Sequence, residues 1–146
     1  CVPPAAPVTL PRGGATVRVL PGPDADRFDP RAMEVFGQAR FTLGSESNRM
    51  GYRLRGPSLE LVRTDPVLSS ATPVGTVQVP PSGQPILLMA DRQTTGGYAT
   101  IATVISADLP VAGQLAPGDW IAFEVCERRT AVAALIALEQ ALMGRR

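Results

Sequence analysis

Residues 75–98 read GTVQVPPSGQPILLMADRQTTGGY, and the fold is decided there. Thr76 to Val79 is a short β-branched run. Pro80-Pro81-Ser82-Gly83 stops it, joining two fixed φ angles to a residue free to turn. Pro85 to Ala90 is a continuous apolar run, short enough for a strand buried on both faces. A polar stretch from Asp91 leads to Tyr98–Ala107, which is β-branched-rich and is expected to be the longest strand. Strands separated by turn chemistry, with no helical period between them, disfavour an alternating βαβ layout.

The same pattern extends outward in both directions. Residues 1–14 are rich in proline and glycine and read as a linker or extended arm. Ala15 to Leu20 alternates as a half-buried strand. Asp29-Pro30 opens a short helix through Phe36, with Asp as N-cap, Pro at the first helical position and Gly37 as the stop. Gln38 to Leu43 alternates again, with Ala39, Phe41 and Leu43 on one face. Two short strands, Tyr52–Arg55 and Ser58–Val62, are joined through Gly56-Pro57. Downstream, Trp120 to Val125 alternates with Ile121, Phe123 and Val125 inward. Ala131, Leu135, Leu138 and Leu142 then form a helical stripe, which implies a packing helix. The expected fold is mainly β: a β-barrel with a peripheral short helix and a C-terminal helix, in one domain over residues 15–146.

Composition narrows the chemistry. The chain has 146 residues, 45 % of them apolar and 18 % charged, which suits one globular domain with its own core. Net charge is +1, so no electrostatic footprint for nucleic acid or anionic lipid is expected. Histidine and lysine are absent, and all fourteen cationic side chains are arginine. A Ser-His-Asp triad, a Cys-His pair, a histidine-ligated metal, a Walker lysine and a Schiff-base lysine are therefore excluded on this chain. The two cysteines, Cys1 and Cys126, form no zinc or disulfide pattern. No segment reaches the roughly 18 apolar residues of a membrane span.

Three polar, glycine-containing stretches between apolar strands are candidates for a site. Residues 45–54 place Asn48, Arg49 and Arg53 at a loop-to-strand junction, where guanidinium forks suit carboxylate or phosphoryl oxygens. A solvated loop with paired arginines explains the same spacing. Gln78 and Gln84 bracket the Pro-Pro turn and offer the donors and acceptor that read an amide or lactam edge. A turn shaped only by proline is the alternative. Asp91, Gln93, Thr94, Thr95, Gly96, Gly97 and Tyr98 bring a carboxylate, an amide, hydroxyls and accessible backbone N–H groups together. Such donors suit a developing oxyanion or enolate, and a β-turn with glycine at positive φ is the competing reading. Asp91, Arg53 and Thr95 are the catalytic candidates, and the others are substrate-binding candidates.

The segments VRVLPGP at 17–23, SNRMGYRLRG at 47–56, the 75–98 stretch and ISADLPVAGQLAPGDWIAF at 105–123 resemble the carboxyltransferase-like subunit family. That family includes the 5-oxoprolinase C subunit, the Kip-inhibitor antagonist and the type once called allophanate hydrolase subunit 2. The likeness covers about Ala15 to Ala131. It implies a cyclophilin-like β-barrel in a cytoplasmic bacterial protein, with this chain as the C-terminal half of a longer polypeptide. It also implies a partner of the Kip-inhibitor or 5-oxoprolinase B-subunit type. The complex would use ATP to open 5-oxoproline, or would carboxylate a urea- or allophanate-like amide. Neither ATP nor biotin is expected on this domain; both belong to the wider complex. The antagonist member implies the alternative of a non-catalytic regulatory binding module. Two departures stand out: Ala99 where the family usually has proline, and Asn48 where it often has aspartate.

Overall fold

The computed structural model describes residues 13–62, 70–90, 92 and 95–143. Nine strands lie along them: β1 (Gly14–Pro21), β2 (Arg40–Leu43), β3 (Gly51–Arg55), β4 (Ser70–Ala71), β5 (Thr76–Val79), β6 (Ile86–Leu88), β7 (Thr95–Gly96), β8 (Ala99–Val104) and β9 (Trp120–Val125). The helices are α1 (Pro30–Gln38), α2 (Leu109–Ala112) and α3 (Arg128–Met143). Seven strands close a barrel in the order β1-β8-β5-β6-β3-β2-β9, and β4 with β7 forms a separate two-stranded ribbon. Neighbours in the barrel are antiparallel except β1 and β9, which run parallel from Gly14↔Trp120 to Val19↔Val125 and close the ring.

Alternation drives the closure. Val17, Val19, Phe41, Leu43, Leu54, Val77, Leu87, Ile101, Ile121 and Phe123 are all buried and fill the interior. With a side-chain period of two, residues between them on each strand face outward. Helix α1 starts as its sequence requires: the Asp29 carboxylate accepts the Arg31 backbone N–H at 2.9 Å, and Pro30 occupies the first turn. Its Phe36 then stacks on Phe123, with ring centroids 4.4 Å apart, and tilts against Phe41.

Two glycines set the ends of the β5–β6 pair. Gly75 has φ +91°; its N–H donates to the Leu88 carbonyl and its carbonyl accepts from Val104 N–H, so it ties β5 to both neighbours. Gly83 has φ +82° and closes the proline turn by donating to the Pro80 carbonyl. A side chain at either position would be strained.

Buried charge pins the 3-10 turn Ser106–Asp108 to β1. Asp108 Oδ2 accepts from the Arg18 backbone N–H at 2.7 Å and from Arg18 Nε at 2.9 Å, while Oδ1 takes Nη2 at 2.7 Å. The hydrogen bond to Asp108 raises the Arg18 pKa against the opposing effect of burial. Cys126 is a free thiol beside them, pushed up in pKa by burial.

Some expectations need correction. Ser58–Val62 forms no strand; Leu61 makes a single bridge to Phe28. β8 has six residues and β1 has eight, so the longest strand is the first. The β-branched run of β8 ends because the backbone turns at Ser106 toward Asp108. Gly37 does not stop α1, which continues to Gln38. Val125 is 43 % exposed rather than inward, at the end of the closing pair. β6 is not buried on both faces: Leu87 is fully buried, whereas Ile86 and Leu88 are only partly covered. α3 holds no buried residue and touches mainly the 106–108 turn and β1, so its stripe packs on one side only. Among the described residues, no helix is long and apolar enough to cross a membrane.

Removing the acid of the Arg18 clamp should be felt throughout the fold. Asp108→Ala is expected to lower stability by about 2–3 kcal/mol, since hydrogen bonds to a charged group are lost and Arg18 is left without its partner. Urea denaturation of the variant, with an unchanged m-value, checks this. A shift below about 0.5 kcal/mol would show that the clamp does not hold the turn.

Candidate functional site

The outer wall of the barrel carries a groove of about 260 Å³ lined by Glu46, Asn48, Met50, Gly51, Arg53, Gln78, Ile86, Leu88, Gly97 and Tyr98. Its floor follows from strand register. β3 pairs Arg53 with Ile86, and β5 pairs Gln78 with the same Ile86. Arg53, Ile86 and Gln78 thus form one row across three strands, and Gly51 and Leu88 pair in the next outward-facing row. Neighbouring strands lie roughly 4.8 Å apart, so the backbones of Arg53 and Gln78 are separated by about 10 Å across Ile86.

Arg53 is exposed, and its guanidinium has no ion-pair or hydrogen-bond partner among the described residues. Only its backbone is engaged: the N–H donates to Ser47 Oγ at 3.0 Å, and the carbonyl accepts from Gly44 N–H. A planar cation with five free donors beside an apolar floor suits an anion carried on a small organic skeleton. Tyr98, 49 % exposed, and Met50, 51 % exposed, add large apolar surface to the lining. Large exposed apolar side chains gathered at one concavity are what a ligand would cover.

The loop from Gly44 to Gly51 is built by its own side chains. Asn48 Oδ1 accepts from the Met50 and Gly51 backbone N–H groups, at 2.9 and 3.3 Å. An aspartate offers the same acceptor, so the asparagine at this position keeps the turn without the charge. Glu46 pairs with Arg55 Nη2 at 3.1 Å. Its carboxyl is held below the usual value mainly by its own backbone N–H, helped by Arg55. Both partners are well exposed, so the pair shapes the rim more than it stabilises the fold.

The structure brings five of the sequence candidates together: Asn48, Arg53, Gln78, Gly97 and Tyr98. Arg49 and Gln84 are not among the lining residues. Gln84 serves the fold instead. Its Oε1 accepts from Gly56 N–H and its Nε2 donates to the Gly56 carbonyl, both at 3.2 Å. The side chain thereby mimics a strand neighbour, committing one edge of its amide to Gly56. Thr95 and Gly96 enter the ribbon, opposite Ala71 and Ser70, which is a competing use for backbone donors expected to face developing charge. Gly97 lies outside that ladder and is not in the positive-φ region. A Cβ there would meet nothing within 4 Å, so its contribution is open space rather than conformational freedom. Asp91, Gln93 and Thr94 lie outside the described residues.

Sequence reasoning does not single out Glu46, Met50, Gly51, Ile86 or Leu88. One signal is available: residues 85–90 are apolar at both parities, and in a barrel the second parity must face something other than the core. Among the described residues there is no group of three or more His, Cys, Asp or Glu that could hold a metal.

The Gln84 assignment has a direct check. Gln84→Ala is expected to lower stability by about 1 kcal/mol, through loss of the two Gly56 hydrogen bonds. The groove resonances of Gln78 and Tyr98 in an NMR spectrum should stay in place. Displaced groove signals with unchanged stability would return Gln84 to the site.

The family described as carboxyltransferase domain, subdomain A and B, matches residues 2–125. The C subunit of 5-oxoprolinase from Haemophilus influenzae is 49 % identical over 108 residues, covering 74 % of this chain and 35 % of that protein. The C subunit of 5-oxoprolinase from Escherichia coli is 44 % identical over 121 residues, covering 83 % and 39 %. The present chain thus spans little more than a third of the length of these relatives. The crystal structure of the K. lactis urea amidolyase superposes with a TM-score of 0.86 at 24 % identity, over 95 % of this chain and 9 % of that one. At that identity the likeness is one of fold.

Proposed function

We propose, for a chain that belongs to the carboxyltransferase-domain family of subdomains A and B, that it serves as the ligand-holding barrel of an assembly like 5-oxoprolinase, within its C subunit. In this reading the assembly uses ATP to open 5-oxo-L-proline, and this domain grips the substrate's carboxylate. The carrying observation is the Arg53 guanidinium, without a partner among the described residues, beside the apolar Ile86–Leu88 floor in one groove. Support also comes from the likeness to two 5-oxoprolinase C subunits at 44 % identity or more.

The groove's role is binding and charge neutralisation. Arg53 fixes the anionic end of the substrate, while Met50, Ile86, Leu88 and Tyr98 exclude water from its ring. Positioning of this kind supplies a large part of a barrier reduction once reacting groups are supplied. Any histidine or lysine acid or base belongs to other parts of the assembly, including a partner of the 5-oxoprolinase B-subunit or Kip-inhibitor type, because this chain has neither residue; the carboxylate candidate of this chain is Asp91. The wider complex, and not this barrel, handles ATP or biotin.

The reading is tested in the assembled complex by ADP release dependent on 5-oxoproline. Arg53→Ala is expected to lower kcat/KM at least about tenfold, since a charge-assisted contact is removed. Gly97→Val should do the same by filling the groove, with stability within about 0.5 kcal/mol of the parent because nothing is met there. Unchanged rates in both variants would remove the groove from the reaction. Tight partner binding with no turnover at all would favour a non-catalytic regulatory module.

A further inference from the structure

Gln78 is the least expected side chain in the groove. It sits in the middle of the barrel wall, on the outward face of β5, yet the residue is only 5 % exposed. Its side-chain amide makes no hydrogen bond among the described residues, although it could make three or four. No fully buried side-chain nitrogen or oxygen of the described residues lacks a partner. The amide atoms of Gln78 must therefore keep an opening, and the concavity they line is the groove. A nearly buried amide with nothing to bind is unfavourable in a strand. Leucine or methionine would suit the fold better at this point. A side chain that the fold does not need, facing a cavity, is accounted for by what enters the cavity.

The chemistry of that guest follows from the donor set. A glutamine amide presents one carbonyl and one N–H edge side by side, so its full complement is a planar group with an adjacent N–H and C=O. Lactams, primary amides, primary carbamates and the NH2 end of ureido groups have this edge; trans secondary amides, esters, lactones and carboxylates do not. The row geometry sets the rest. Gln78 and Arg53 flank Ile86 at about 10 Å between backbones, and both side chains can reach over it toward one small molecule. Gln78 is nearly buried and Arg53 exposed, so the amide edge lies at the inner end and the anion at the mouth.

We infer that Gln78 is the specificity-determining residue of the groove: it selects a planar amide edge, while Arg53 takes a carboxylate on the same molecule. The inference rests on the groove being the substrate site proposed above, and it adds the residue that tells an amide-bearing acid from its ester or lactone counterpart. Gln78 positions and discriminates; it moves no proton.

The test measures binding to the protein by isothermal titration or NMR. The probes are 5-oxoproline, its ring-oxygen counterpart 5-oxotetrahydrofuran-2-carboxylate, and N-carbamoylglycine. The parent is expected to bind at least one of the two N–H-bearing acids about tenfold or more tightly than the lactone, as sites built around a hydrogen bond reject analogues lacking it. In Gln78→Met, and in Gln78→Leu as the second variant, that ratio should collapse toward unity while thermal stability holds or rises. A purely structural glutamine would instead lose stability and leave the ratio intact, and that result overturns the inference. Equal affinity for lactam and lactone in the parent also overturns it while leaving the groove as a site. Preference for N-carbamoylglycine with no affinity for 5-oxoproline keeps the inference and sinks the lactam reading. Failure of the parent to bind any probe overturns the inference.

Discussion

The register of β3, β6 and β5 is the constraint on which the rest of the molecule's chemistry hangs. A strand has two faces, and a shift of one residue exchanges them. With Leu87 inward, Ile86 must point out, and Arg53 and Gln78 lie beside it on either side. A one-residue slip of β6 would bury Ile86 and Leu88 and leave Leu87 in the groove. Several devices forbid that slip. Gly75 binds β5 to β6 and β8 simultaneously, and the Pro80–Gly83 turn fixes the hairpin length. The Gln84 side chain adds a further clamp to Gly56, at the foot of β3. These contacts are far less conspicuous than the core, yet they determine which side chains meet.

Two arginines on the same barrel show how environment divides one residue type into two roles. Arg18 is sequestered, with its backbone N–H, Nε and Nη2 all donating to Asp108. Breaking such a pair harms folding, and its charge is unavailable to a ligand. Arg53 has the opposite disposition: its backbone holds the loop, and its guanidinium is left over. The ring order keeps the first at a distance from the second, since β8, β5 and β6 lie between β1 and β3 on one side and β9 and β2 on the other.

Much of this architecture was legible in the residues because it rests on local rules. The Asp29-Pro30 helix start, the alternation in β2 and β9, and the turn at 80–83 all declare themselves by residue type. The closed ring is a consequence of seven short strands in which helices do not alternate regularly with strands, and the structural likeness to the urea amidolyase agrees in fold. The failures share a physical cause. Whether Ser58–Val62 pairs, whether Val125 is covered and whether Gln84 faces a ligand all depend on which distant strand arrives alongside. Local pattern carries no information about that arrival. Gln78 and Gln84 illustrate it well: both are glutamines beside the same turn, and pairing makes one a backbone mimic and leaves the other without a partner.

The groove's titratable inventory sets a limit on what this barrel does unaided. Among the described lining residues, the ionisable groups are Glu46, Arg53 and Tyr98. Glu46 is depressed below its usual value and paired with Arg55, so it is a poorer base than an ordinary carboxylate. A general acid or base works best with a pKa near the operating pH, and a carboxyl held below its usual value is moved away from that condition. The same groups are well suited to hold and polarise: a fixed cation, an apolar floor and an unoccupied amide edge. In the proposed division of labour the groove lining recognises the ligand and proton transfer comes from outside the groove.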